Sequence, residues 1–160
     1  YEIATFLNGV SAEEISEGTS IKIKAMYKII GELESLGDSG EAISRILSRK
    51  NIHNKRFNEE AIKNLNLMAD AVNMAYDVMI ENLTAAYKGE LADIANAYSA
   101  EDHLNALRNN IRDAIIEEIE NDGKNYQTSV YYMDLINEYE HMGDFMINVS
   151  QDLERAFVRK

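Results

Sequence analysis

An all-α antiparallel bundle of four long helices, with a short helix before them, is the fold this sequence predicts. Three observations lead there. Apolar residues recur at intervals of three and four in four long stretches, and nowhere alternate with period two long enough for a sheet. There is no proline in 160 residues, which fits long unbroken helices. Hydrophobic types make up 46% of the chain, too many for a disordered tail and enough for one core.

Taken in order, the elements begin at Tyr1-Glu2-Ile3-Ala4-Thr5-Phe6-Leu7. That string, without a Met, reads as the end of an element. Either the chain is cut from something longer or its first residues are disordered. Ser11-Ala12-Glu13-Glu14 has the spacing of a capping box before a short turn. Residues 20–49 carry one stripe, Met26, Ile29, Leu33, Leu36, Gly40, Ile43 and Leu47. A polar linker lies between Lys50 and Phe57.

Residues 58–87 give the clearest helix, with Ile62, Leu65, Ala69, Val72, Tyr76, Met79 and Leu83 in a 3-4 alternation. Asn58 is its N-cap, Glu59 and Glu60 sit at the positive end of the dipole, and Phe57 staples onto Ile62. Gly89 terminates it. Residues 90–121 repeat the rhythm with Ala97, Ala100, Leu104, Leu107, Ile111 and Ala114, and Asp122-Gly123 ends the run. Residues 129–158 carry Tyr132, Leu135, Tyr139, Met142, Met146, Val149, Leu153 and Ala156. Such seams favour near-parallel axes, and the short connection near Gly89 makes its two helices antiparallel neighbours. The Met and Tyr residues in the stripes are read as core.

Composition narrows the chemistry. Without Cys there is no disulfide, zinc finger, iron–sulfur cluster or thiol nucleophile. A net charge of −12 repels phosphate backbones, so metal cations and basic surfaces are better partners than nucleic acid. No apolar run reaches the length of a membrane span. No nucleophile triad, phosphate-cradling glycine loop or acid/base pair stands out, so the chain reads as a non-enzyme.

An internal repeat carries more. A shift of 106 residues lays Glu32-Leu33-Glu34-Ser35-Leu36-Gly37-Asp38 on Glu138-Tyr139-Glu140-His141-Met142-Gly143-Asp144. Both Glu, the Gly and the Asp coincide, Ser44 falls on Ser150, and the stripes stay in phase. A glycine inside a helix costs about 1 kcal/mol against Ala, so its repetition implies a close approach to the backbone. Glu34 and Asp38 share a helix face, as do Glu140 and Asp144. Each pair lies at the rim of the stripe, where like charges repel unless a cation joins them. In a chain this acidic, such pairs also arise as plain solvated surface.

The strings Leu33-Glu34-Ser35-Leu36-Gly37-Asp38-Ser39-Gly40-Glu41-Ala42-Ile43 and Glu140-His141-Met142-Gly143-Asp144, with Asn148, resemble the repeated signature of the PhoU family of bacterial phosphate-uptake regulators. The Arg that follows the Glu in that signature is Ser35 in one copy and His141 in the other. In this respect the chain is similar to the PhoU-like domain fused behind bacterial sodium/phosphate cotransporters. The resemblance implies a single domain over residues 1–160, with 1–50 the remainder of a first repeat and 57–160 a complete three-helix second repeat. It implies a regulatory domain that modulates phosphate transport at the cytoplasmic face of the inner membrane. Its partner would be the membrane part of the cotransporter, fused upstream; a homodimer is also compatible.

The resemblance further implies divalent or trivalent metal ions held by paired motifs. On the last helix these are Glu140 and Asp144. On the helix before it they are Glu101 and Asn105, with Asn in place of the usual Asp. Glu34 and Asp38 form the motif of the first repeat, whose partner falls before Tyr1. They are therefore expected to face solvent or a neighbouring molecule. A free-standing PhoU-like regulator is the alternative within the family. Outside it stands a ferritin-like metal-binding bundle, since Glu138 and His141 imitate half of a di-iron motif. That site needs a second such motif, and His53 and His103 lack the preceding Glu. A bare scaffold is the third reading. Asp70, Asn73 and Asp77 read as a solvated flank.

Overall fold

A computed structural model describes residues 1–11 and 16–158. Among these residues there are five α-helices: α1 (Glu2–Ser11), α2 (Glu17–Ile52), α3 (Glu59–Lys88), α4 (Ala95–Asn121) and α5 (Tyr126–Phe157). A single 3-10 turn, Gly123–Asn125, leads into α5, and no strand occurs among the described residues. The four long helices and the short first one are those the periodicity predicts.

The caps follow from local chemistry. Asn58 accepts a hydrogen bond from the Ala61 amide at 2.8 Å, as an N-cap should. Gly89 takes the left-handed conformation (φ 74°), and its amide and that of Glu90 satisfy carbonyls of the last turn of α3. Of the predicted capping box, Ser11 is the last residue of α1 rather than an N-cap, and Ala12-Glu13-Glu14 lie outside the described residues. The N-cap of α2 is Ser16, whose hydroxyl accepts from the Thr19 amide at 3.2 Å. The helix expected from Glu90 starts instead at Ala95. Asp93 accepts from the Ala95 amide at 2.9 Å, while Leu91 and Ile94 turn inward as plugs. That arrangement uses the apolar residues of the connection to close the end of the bundle.

Helices α3, α4 and α5 pack on one another as a three-helix bundle. Their shared core includes Met68, Met79, Ile94, Leu104, Ile111, Ile115, Ile136 and Val149. Helix α2 lies outside that bundle. It runs along α5 and meets α1, and its Ile29 and Leu36 reach the shared core. The Lys22 ammonium stands over the Phe157 ring at 5.4 Å, and Asn148 donates to Glu32 at 3.3 Å. The start of α2 therefore meets the end of α5, and the two repeated helices are antiparallel. The same register sets Gly37 level with Gly143, at the waist of a local two-fold relation. The short α1 hangs on α2 through the Tyr27 hydroxyl, which donates to the Ala4 carbonyl at 3.3 Å and bonds Asn8.

Two stripes are rotated from their predicted phase. On α3 the buried row is Ala61, Met68, Val72, Ala75, Met79, Asn82 and Ala86, while Ile62 and Tyr76 are exposed. Phe57 packs its ring on Tyr132, centroids 5.9 Å apart. On α2 only Ile29 of the predicted row is fully buried, and Met26, Leu33 and Leu47 lie open. In both helices the predicted row falls between a face that is covered and a face that is apolar but bare. The reading of Tyr as core also fails in part, since Tyr76, Tyr87, Tyr98 and Tyr126 are exposed.

Candidate functional site

The acidic motifs on α4 and α5 meet at the waist. Gly143 explains how. A Cβ placed there would fall 2.6 Å from Cδ2 of Leu104, a side chain that is itself fully buried. Only glycine lets α4 approach α5 this closely. The approach draws Glu101, one turn before Leu104, toward Asp144 on α5, and Asn105 follows Leu104 directly on the same helix. All four side chains are half-buried.

The electrostatics of the cluster are strained at one end and relieved at the other. Burial pushes the Glu101 carboxyl above its ordinary pKa, and the nearby charges of Asp144 and Asp102 add to the shift. Burial likewise raises the Asp144 carboxyl, with Glu140 adding to the shift and His141 and Arg108 opposing it. Glu140 has a cation of its own, because Arg108 from α4 forms an ion pair with it. Both members of that pair are largely removed from solvent, and the Arg108 Nε has no hydrogen-bond partner. Among the described residues no three Asp, Glu or His side chains are arranged to hold a metal ion. The Arg108 guanidinium supplies the cluster with one positive charge.

Arg108 was not legible as a site residue. It lies one turn beyond Asn105, and that spacing on a helix face is the signal that points to it. A second unpredicted feature is a polar network inside the bundle. Asn82 donates to Asn96 and to Ser150, each at 3.1 Å, and Asn96 donates back to Asn82 at 3.0 Å. The network ties α3, α4 and α5 together one side of the waist.

Glu34 and Asp38 are not part of this cluster. They lie on the exposed side of α2, as the repeat arithmetic predicts for that motif. Gly37 beside them has nothing within 4 Å of the place a Cβ would take. Glu138 and His141 meet at 3.8 Å on the surface of α5, and His53 and His103 are exposed elsewhere. Asp70, Asn73 and Asp77 are exposed, as a solvated flank should be. No helix is long and apolar enough to cross a membrane, among the described residues. No family model, curated protein or solved structure matches the chain.

Proposed function

We propose that the chain is a PhoU-like regulatory domain, not an enzyme, that modulates phosphate transport by a bacterial sodium/phosphate cotransporter. In this reading it works at the cytoplasmic face of the inner membrane, against the membrane part of the transporter. The observation that supports the reading is the pairing of the two signature helices. They lie antiparallel with their Gly-Asp steps level, and one copy turns its acids inward against α4. The phosphate connection rests on the signature itself.

The waist cluster is the proposed sensor. Glu101 and Asp144 are carboxylates that burial and mutual repulsion make costly when charged. A divalent or trivalent cation would relieve that cost, with the Asn105 carbonyl as a neutral oxygen ligand. Glu140 joins the set only if it leaves Arg108. The domain would then hold its cluster in one of two states, neutralised from within by Arg108 or from outside by a metal ion.

Two measurements test this. Millimolar Mg²⁺, Ca²⁺ or Mn²⁺ should raise the melting temperature of the chain by mass action. Glu140→Gln with Asp144→Asn should abolish the rise, and Arg108→Gln should enlarge it by removing the competitor. Phosphate uptake by the full transporter, with and without the double substitution, then reads the regulatory role. A melting temperature indifferent to all three ions would end the sensor reading. Unchanged uptake after deletion of the whole domain would end the regulatory one.

A further inference from the structure

A cleft lies where the start of α3, the end of α4 and the early part of α5 come together. Glu60 and Asn64 line it from α3, Glu117, Glu118 and Asn121 from α4, and Tyr132 from α5. Its volume is about 290 Å³, and Ala114 and Ile115 give it an apolar side. Helical spacing explains the convergence. Ala114, Glu118 and Asn121 share one face of α4, and Glu60 and Asn64 share one face of α3. Tyr132 precedes Gly143 by about 16 Å along α5, at 1.5 Å per residue, so the cleft is separate from the waist cluster.

Two independent observations mark the cleft as a cation site. The first is charge. A helix C-terminus is the negative end of the dipole and favours basic residues, yet the last turn of α4 has none. Glu117 and Glu118 stand near that end instead, and Glu60 lines the same cleft. Among the described residues none of these three carboxylates forms an ion pair. The second is the Tyr132 hydroxyl. Tyr132 is only 6% exposed, and its hydroxyl has no hydrogen-bond partner. Asn64 stands close by without meeting hydrogen-bond geometry. Burial lifts the phenol above its ordinary pKa, Asn64 opposes the shift, and the charges of Glu60 and Glu118 add to it. The hydroxyl thus lies beneath those two carboxylates, at the floor of the cleft. Packing alone does not ask for it, since the internal repeat puts Met26 at the equivalent place. Proteins rarely bury a hydroxyl unpaired, and such a group calls for a partner from outside the chain.

Size and lining narrow the cation. The cleft has about ten times the share of one water, about 30 Å³, so it holds a molecule rather than a bare ion. We infer that it binds a short aliphatic diamine as its dication. One ammonium has three donors, which match the Glu60 and Glu118 carboxylates and the Tyr132 oxygen. The carbon stem lies on Ala114 and Ile115. The second ammonium meets Glu117 and the Asn121 side-chain carbonyl near the mouth. The ligand thereby ties α3 and α4 to α5 at one end of the bundle, and it offsets the charge gathered at the negative pole of α4. This site is independent of the regulatory reading and needs neither phosphate nor metal.

Calorimetric titration of the full chain with 1,4-diaminobutane, in salt of about 0.15 M, tests this. One saturable site is expected, and butylamine, with a single charge, should bind at least about tenfold more weakly. Glu60→Gln with Glu118→Gln should weaken the diamine at least about tenfold. Glu59→Gln with Glu120→Gln removes the same charge outside the cleft and should change binding less than about twofold. Tyr132→Phe should weaken binding about fivefold, yet leave the melting temperature of the unliganded chain unchanged or higher, because it removes a hydroxyl with no partner. Absence of a saturable site, equal weakening by the two double substitutions, or displacement of the diamine by equimolar Mg²⁺ would overturn the inference. So would a Tyr132→Phe chain that binds the diamine as before, or that melts lower without it.

Discussion

At the level of Gly143 the backbone of α5 is pressed beneath Leu104; at the level of Gly37 the same step of the same motif looks into open space. The two helices share a signature and differ in what lies on them. Ser150 is buried and bonded to Asn82, while its counterpart Ser44 is exposed. Glu140 is drawn in and paired with Arg108, while Glu34 remains at the surface. The difference teaches that a repeated motif encodes a face, and that the neighbour decides whether the face becomes core, sensor or bare surface.

The largest expected effect comes from the matched leucines. Leu153 is 3% exposed and Leu47 is 38% exposed at the equivalent place. Leu153→Ala should cost about 2–5 kcal/mol, the range for a buried Leu truncation. Leu47→Ala should stay within about 0.5 kcal/mol, as surface changes do. Urea unfolding of both variants checks the contrast, and equal losses would mean that the α2 face is covered in solution.

Next come the glycines. Gly143→Ala should destabilise by about 1–2 kcal/mol, since the clash with an immobile Leu104 outweighs the helix propensity gained. Gly37→Ala should stabilise by about 0.5–1 kcal/mol, because only the propensity term acts there. Opposite signs in thermal melts would sharpen the comparison; the same sign would break it.

The serines give a smaller contrast. Ser150→Ala removes a hydrogen bond inside the bundle and leaves the Asn82 amide short of one acceptor, worth about 1 kcal/mol. Ser44→Ala should be neutral or slightly favourable in the same melts.

The smallest effect depends on pH. The Asp144 carboxyl is raised in the fold, chiefly by burial and then by Glu140. A raised carboxyl contributes stability that is full below its ordinary pKa and lost as pH rises through the raised value. Asp144→Asn should therefore gain about 0.5 kcal/mol at pH 7 and nothing near pH 3, with Asp38→Asn as the surface reference. A gain that persists unchanged in acid would contradict the assignment of this carboxyl.

Much of this was legible in the sequence. Asn58, Gly89 and the mid-helix Gly143 each declare a local requirement that only a few residue types meet, and the structure places each as expected. The phases of α2 and α3 were not legible, for a physical reason. A 3-4 count sums every apolar face of a helix, whether or not something covers it. Met26 and Leu33 on α2, and Tyr76 on α3, pull the counted stripe toward bare surface and away from the core. Arg108 escaped because a charged residue near a stripe reads as surface until a partner carboxylate from another helix is known. Asn82 escaped because a core position holding Asn makes sense only once Asn96 and Ser150 are seen beside it.

That α2 rests on one long helix has a consequence for how the molecule opens. Each of α3, α4 and α5 is held by two of the others, whereas α2 packs along α5 alone among the long helices, so a partial opening should begin with α2. Its amides should exchange with solvent through this partial opening, earlier than those of the bundle. Any ligand that bridges α2 and the bundle would bind the closed form and not the lifted one. The free energy of that binding then appears as slower exchange along the whole of α2, including residues far from the contact. A local binding event is thereby spread along a 36-residue rod, and the end of α2 at Ile52 registers what happens at Lys22.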